Sequence, residues 1–155
     1  MNLYIMRHGM AEPYHTRPDA ERSLVAEGEA QALNVASQWQ AACPALDAIV
    51  ASPYKRAQQT ATIVKDTLGF SEALLTNAFI TPDGDAPTVV QGLDQYSFQN
   101  ILLVSHMPLV SHLLSYLTVG DSHSYGGLQT AQLVHLSGEH LAQGCMRVAQ
   151  ELYPQ

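Results

Sequence analysis

Asn2-Leu3-Tyr4-Ile5-Met6-Arg7-His8-Gly9 is an apolar run that stops abruptly in a guanidinium, an imidazole and a glycine. A short apolar run of this kind reads as a buried strand. Its polar end then lies at the rim of a sheet, and in open α/β sheets ligands bind outside the carboxyl ends of the strands. Arg7 offers a planar fork of donors, His8 a titratable nitrogen, and Gly9 a backbone that other groups can approach closely. That set suits a phosphoryl-transfer site. Two further segments carry the same pattern. Leu46–Ala51 ends in Ser52-Pro53 and leads on to Tyr54-Lys55-Arg56, and Asn100–Val104 ends in Ser105-His106. A parallel sheet would bring all three ends to one edge.

The segments between these runs predict the connections. Residues 10–23 read as a polar loop broken by Pro13 and Pro18. Ala26 to Ala41 has helical spacing, with Ala30, Leu33, Ala36 and Trp39 expected on one side, and Pro44 closes the region. Residues 54–68 read as a second helix, with Gly69 as its stop. Ala73–Thr76 reads as a weak strand, Thr81-Pro-Asp-Gly-Asp85 as a turn, and Ala86–Gln95 as a helix. Pro108 fits the first turn of a helix running through Leu117, residues 120–127 are loop, and Ala131–Leu136 and Cys145–Leu152 are candidate final strands in antiparallel pairing. Alternating strands and helices predict an α/β fold, a three-layer α/β/α sandwich around a mostly parallel sheet.

Composition narrows the function. The 155 residues fit one domain, 1–155, with 46% hydrophobic and 14% charged residues. A net charge of −7 with only seven Lys plus Arg argues against nucleic acid or an anionic membrane as partner. It also makes the few cations informative: Arg7, Arg17, Arg22, Lys55 and Arg56 all fall in the first 56 residues. Cys43 and Cys145 lie far apart without CxxC spacing, and neither a secretory signal nor a bilayer-length apolar stretch is evident. The expectation is a cytoplasmic protein with free thiols.

Taken together, these residues carry a resemblance. Arg7-His8-Gly9, Ser52-Pro53 with Arg56-Ala57 and Gln59-Thr60, Ser105-His106, and Gly28-x-x-Gln31-Ala32 resemble the motifs of the histidine phosphatase superfamily. That is the branched group of cofactor-dependent phosphoglycerate mutases and many phosphatases. Length and the phrases Thr81-Pro-x-Gly-Asp85 and Ser105-His-x-Pro-Leu-Val110 are most similar to its short SixA-type phosphohistidine phosphatases. The resemblance spans residue 4 to about residue 115. It implies a phosphoglycerate mutase-like fold. It also implies His8 as nucleophile, with Arg7, Arg56 and His106 holding the phosphoryl oxygens.

The sequence departs from the family at Met10, where an acid or amide is common, and at Leu24-Val25 in place of Leu-Thr. No clear match exists to the glutamate that donates a proton in the mutases. Asp83 and Asp85 are the nearest acids, and turn formation around Gly84 explains them equally well.

The side chains support the same chemistry. An imidazole whose one nitrogen donates to a fixed acceptor leaves the other free to attack phosphorus, and the backbone at Gly9 is a candidate acceptor. Phosphoryl transfer then demands mainly positioning and charge neutralisation, which two guanidinia and a second imidazole can supply without metal or cofactor. Competing chemistries fail on spacing, since no Cys-x5-Arg, Gly-x-Ser-x-Gly or Lys-bearing phosphate loop is present. His106 and His112, six apart, do not form a zinc pair on one helix face. His15, His123, His135 and His140 read as solvated or structural, with His123 in a loop that could border the site. Arg22 could reach the pocket or lie on the surface, and Lys55 reads as a solvated neighbour.

Substrate follows from two absences. Relatives acting on small metabolites usually carry a long capping insertion between the second and third motifs, as the resemblance implies, and the 50 residues from Arg56 to His106 leave no room for a lid subdomain. An open site suits a phosphorylated side chain projecting from another protein. Without an evident acid, an imidazole leaving group of pKa about 6.5 is easier to expel than an alkoxide. Phosphohistidine on a protein is therefore the expected substrate. A phosphorelay or phosphotransfer partner is implied by the resemblance alone. Two alternatives stay open: a small-molecule phosphomonoesterase using Asp83, Asp85 or Glu12 as acid, and a non-catalytic phosphoprotein-binding module.

Overall fold

The computed structural model describes all residues, 1–155. The strands are β1 (Asn2–Arg7), β2 (Ala48–Ala51), β3 (Leu75–Thr76), β4 (Asn100–Ser105), β5 (Leu133–Ser137) and β6 (Arg147–Leu152). The helices are α1 (Ala26–Gln40), α2 (Lys55–Leu68), α3 (Ala86–Asp94) and α4 (Leu109–Thr118), with a single 3-10 turn at Asp19–Glu21. The six strands form one sheet in the order β3-β2-β4-β1-β5-β6. β3, β2, β4 and β1 pair in parallel, while β5 runs antiparallel to both β1 and β6. This is the expected three-layer α/β sandwich.

Strand alternation divides the core cleanly. Leu3, Ile5, Val50, Ile101 and Leu103 face α3 and α4, meeting Val89, Leu93, Leu109, Leu113 and Leu117. Their neighbours Tyr4, Met6, Ile49, Leu102 and Val104 face α1 and α2, meeting Val35, Trp39, Ala57, Ala61 and Val64. Strands buried on both faces explain why β1, β2 and β4 read as unbroken apolar runs.

Register places the site. Arg7 pairs with Ser105 and Ala51 with Val104, so the three parallel strands end level. The residues that follow continue the ladder, His8 N–H donating to Ser105 O and Ser52 N–H to Val104 O, each at 3.0 Å. Insertion of β4 between β1 and β2 reverses the direction of strand addition, creating the crevice where α/β sheets bind ligands.

Several local expectations need correction. On α1 the buried positions are Gly28, Ala32, Val35, Ala36 and Trp39, whereas Ala30 is exposed and Leu33 is 52% exposed. Alanines on both flanks leave a three-residue spacing ambiguous, and close packing against the sheet selected the small-residue side. α4 begins at Leu109, one residue after the expected Pro108, which follows a cis peptide from Met107. β6 begins at Arg147, because residues around Gly144 turn the chain. α2 ends as expected on Gly69, whose φ of 70° is the left-handed cap that glycine adopts without strain.

Candidate active site

His8 is 7% exposed, and its Nδ1 lies 2.7 Å from the Gly9 carbonyl oxygen. Its other nitrogen, Nε2, lies 3.2 Å from Arg56 Nε. A guanidinium nitrogen can only donate, so Nε2 accepts and the ring hydrogen sits on Nδ1, donated to Gly9. Burial pushes the His8 pKa down to about 3; the Gly9 bond opposes this, and the charges of Arg56, Arg7 and Arg22 add to it. The ring is neutral, with one lone pair aimed at Arg56.

Arg56 stands in the first turn of α2, 2% exposed. Its Nη1 donates to the Asp19 carbonyl at 2.6 Å and its Nη2 meets Asp19 Oδ2 at 3.3 Å. Arg22 Nε donates to the other carboxylate oxygen at 2.9 Å, and the Arg22 guanidinium lies 4.1 Å over the Tyr14 ring. Burial works against the Asp19 charge, yet the Arg22 bond and the two guanidinia hold its carboxyl below the usual range. Loop 10–23 is thus folded against the site and fastened by an Ala11–Leu24 bridge.

Arg7 donates from Nη1 to the Leu128 carbonyl at 2.7 Å. His106, 1% exposed, places Nε2 2.7 Å from Ser52 Oγ, and its ring centroid lies 5.1 Å from that of His8. Burial, then the neighbouring His8 and Arg56, push its pKa down to about 2. Two buried side-chain nitrogens in the whole molecule lack a hydrogen-bond partner: Arg7 Nε and His106 Nδ1. Such groups are costly unless something completes them. Both belong to the residues flanking His8.

The backing of the site explains the intervening motifs. Gly9 N–H donates to Thr60 Oγ1 at 3.1 Å, and Thr60 Oγ1 donates to Arg56 O at 2.8 Å. Gln31 Oε1 accepts Met10 N–H at 3.0 Å, and Gln59 Oε1 accepts Leu24 N–H at 2.7 Å. At Gly28 a Cβ would overlap the Met10 carbonyl, so only glycine lets α1 approach the turn after His8.

Arg7, His8, Arg56 and His106 are therefore brought together. Asp83 and Asp85 have other roles. Asp85 caps α3, accepting from Thr88 N and Thr88 Oγ1 at 3.0 and 2.7 Å, and these bonds hold its carboxyl below the usual range. Asp83 accepts from Thr81 Oγ1 at 2.9 Å within the turn. Asp85, read from sequence as either a possible acid or a turn former, is here bonded as the cap of α3. Glu12 accepts from Ser23 N–H and Arg17 in its own loop. His123 faces His112, ring centroids 5.6 Å apart, rather than His8. Arg22, 5% exposed, is no surface group. Sequence reasoning does not find Asp19 or the Leu128 carbonyl, and it places Ser52 at a strand end and in the second motif without giving it a role. Ser52 carried the one usable signal, ending its strand as His8 and His106 follow theirs.

Known proteins resemble this chain throughout. Residues 3–79 match the model of the histidine phosphatase superfamily (branch 1). The phosphohistidine phosphatase SixA homolog of Haemophilus influenzae is 35% identical over 131 residues, 76% of this chain and 77% of that one. Phosphohistidine phosphatase SixA of Escherichia coli is 30% identical over 125 residues, 79% of this chain and 77% of that protein. The solved structure of the protein histidine phosphatase SixA complexed with tungstate superposes with a TM-score of 0.87 at 25% identity, covering 99% of this chain and 97% of that one.

Proposed function

We propose that this chain, which belongs to the histidine phosphatase superfamily, is a phosphatase that takes a phosphoryl group onto His8 Nε2 and releases it to water, and that its substrate is phosphohistidine on another protein. The observation that carries the reading is the locked tautomer of His8, with Nδ1–H held by Gly9 O and Nε2 left without a hydrogen, its lone pair accepting from Arg56 Nε. An imidazole attacks only through an unprotonated nitrogen, and burial keeps this one unprotonated well below neutral pH.

In the first step the Nε2 lone pair forms a P–N bond as the bond from phosphorus to the leaving imidazole breaks. The departing nitrogen keeps the electron pair and takes a proton from solvent. In the second step water attacks phosphorus, the P–Nε2 bond breaks, and inorganic phosphate leaves with the neutral ring restored. Arg56 keeps its Nε–H throughout and redirects that hydrogen bond from His8 Nε2 to a phosphoryl oxygen. Arg7 Nε and His106 Nδ1, both buried without a partner, supply two further contacts. Fixed donors aimed at phosphoryl oxygens are what this type of transfer needs, and no step calls on a metal or cofactor.

Three observations support a protein phosphohistidine. The β3–α3 connection is tied down by Ser105 Oγ donating to Ile80 O at 2.6 Å, so it does not rise as a lid. The two acids of that connection are a turn group and a helix cap, which favours a leaving group that needs little protonation. The Haemophilus and Escherichia relatives bear the name phosphohistidine phosphatase. No helix is long and apolar enough to cross a membrane. A cytoplasmic phosphorelay or phosphotransfer protein as partner belongs to the same reading.

The test is a parallel assay of a phosphohistidine-bearing protein, p-nitrophenyl phosphate and phosphoserine. We expect kcat/KM to fall in that order, His8→Ala to abolish turnover, and quenched enzyme to hold acid-labile, alkali-stable phosphate on His8. Fastest hydrolysis of phosphoserine or a sugar phosphate, or label on Ser52 or a cysteine, would overturn the proposal.

A further inference from the structure

Ser52 is fully buried, and its Oγ has two neighbours. It accepts Tyr54 N–H at 3.2 Å and lies 2.7 Å from His106 Nε2. A serine hydroxyl also has one hydrogen of its own to place. The acceptor within reach of that hydrogen is His106 Nε2. If Nε2 carried the ring hydrogen instead, Ser52 Oγ would accept twice and its own buried hydrogen would meet nothing. His106 Nδ1 would then present a lone pair to phosphoryl oxygens, an electrostatic mismatch.

We propose that Ser52 is a positioning residue: by donating its hydroxyl hydrogen to His106 Nε2 it holds that ring as the Nδ1–H tautomer, making the buried, unpartnered Nδ1 a hydrogen-bond donor to the phosphoryl group. The inference rests on the reading above that this cluster takes a phosphoryl group. Since burial keeps the ring neutral, the tautomer rather than the charge decides what His106 offers. The two histidines then share one tautomer in opposite orientations. His8 turns Nδ1–H into the protein and Nε2 to the phosphorus; His106 turns Nε2 into the protein and Nδ1–H to the oxygens. Both settings are imposed by neighbours, a backbone carbonyl that can only accept in one case and a buried hydroxyl whose hydrogen has no other acceptor in the other.

The experiment uses the full chain labelled with 15N at histidine, read by long-range proton–nitrogen correlation at neutral pH. We expect wild-type His106 as the Nδ1–H tautomer. In Ser52→Ala the ring loses that preference and populates Nε2–H. Turnover of the phosphohistidine-bearing protein then falls about ten- to a hundredfold, the usual loss when an outer partner orienting a functional imidazole is removed. Ser52→Thr, which keeps a hydroxyl, restores both tautomer and rate. A wild-type His106 carrying its hydrogen on Nε2 overturns the proposal, as does Ser52→Ala with unchanged tautomer and rate. Should Ser52→Ala fail to fold, the wild-type spectrum decides alone. Absence of wild-type turnover would instead defeat the proposed function and leave the tautomer to the spectrum.

Discussion

Lowering the pH from 7 to 5 should strip about 4 kcal/mol of stability from this fold through two imidazoles. His8 and His106 take up a proton in the unfolded chain near the ordinary 6.5, but in the folded state only near pH 3 and pH 2. Because the folded values lie below the unfolded one, the stability tied to each ring is complete above about 6.5. It is lost as the pH falls toward the folded value. At pH 5 the gap to 6.5 is about 1.5 units, which at about 1.36 kcal/mol per unit gives about 2 kcal/mol per ring. That figure is set by the unfolded value and hardly changes however far below 4 the folded value lies. The measurement is urea unfolding of wild type and a His8→Asn, His106→Asn double variant at pH 7, 6 and 5. Carboxylates that titrate lower affect both proteins alike, so the difference isolates the rings. The wild-type advantage should shrink by about 4 kcal/mol between pH 7 and pH 5. Parallel pH profiles would refute the argument and mean that both rings take up their protons near the ordinary value in the folded protein; shrinkage by about 2 kcal/mol would mean that one of them does.

Arg7→Ala and Arg56→Ala should each lower kcat/KM roughly 10²- to 10³-fold with unfolding midpoints measured alongside, since each removes a charge-assisted contact to the phosphoryl group; a tenfold loss or less in Arg56→Ala would deny it that role. Chelators should leave turnover unchanged and vanadate should inhibit; inactivation by chelator with rescue by a divalent ion would contradict a reaction run on these side chains alone. Gly28→Ala should destabilise by about 2 kcal/mol or more in urea unfolding and depress activity with it, because the added methyl meets the Met10 carbonyl rather than a movable side chain. Asp85→Ala should cost about 1 kcal/mol of stability through its lost cap while phosphohistidine turnover persists; abolished turnover would restore the carboxyl to the chemistry.

Much of this site was legible because it hangs on strands. Arg7-His8 and Ser105-His106 each close a run too apolar to lie anywhere but inside a sheet, and parallel pairing brings such ends together. Arg56 followed from its helix opening directly after Ser52. What sequence did not show depends on chain crossings with no local signature. Asp19 lies 37 positions from Arg56 and reads only as a turn residue after Pro18, until loop 10–23 folds back and sets its carboxylate against the guanidinium. The Leu128 carbonyl that holds Arg7 is 121 positions away, and any residue type could have supplied it. The face of α1 was misread for a different reason: its alanines make two stripes equally apolar, and only packing distance against the sheet chooses between them.

The Thr60 hydroxyl has a consequence for what evolution or a designer can write at one position. It receives the Gly9 N–H and gives its own hydrogen to Arg56 O, so one oxygen joins the turn after His8 to the helix carrying Arg56. Valine has the same shape and neither bond; cysteine reaches too far and donates weakly; asparagine is too large for a fully buried place. Of the twenty side chains only threonine and serine offer a donor and an acceptor on a single atom at that reach. The tolerated alphabet at residue 60 therefore has two letters, and a library randomised there and selected for turnover should return both and little else.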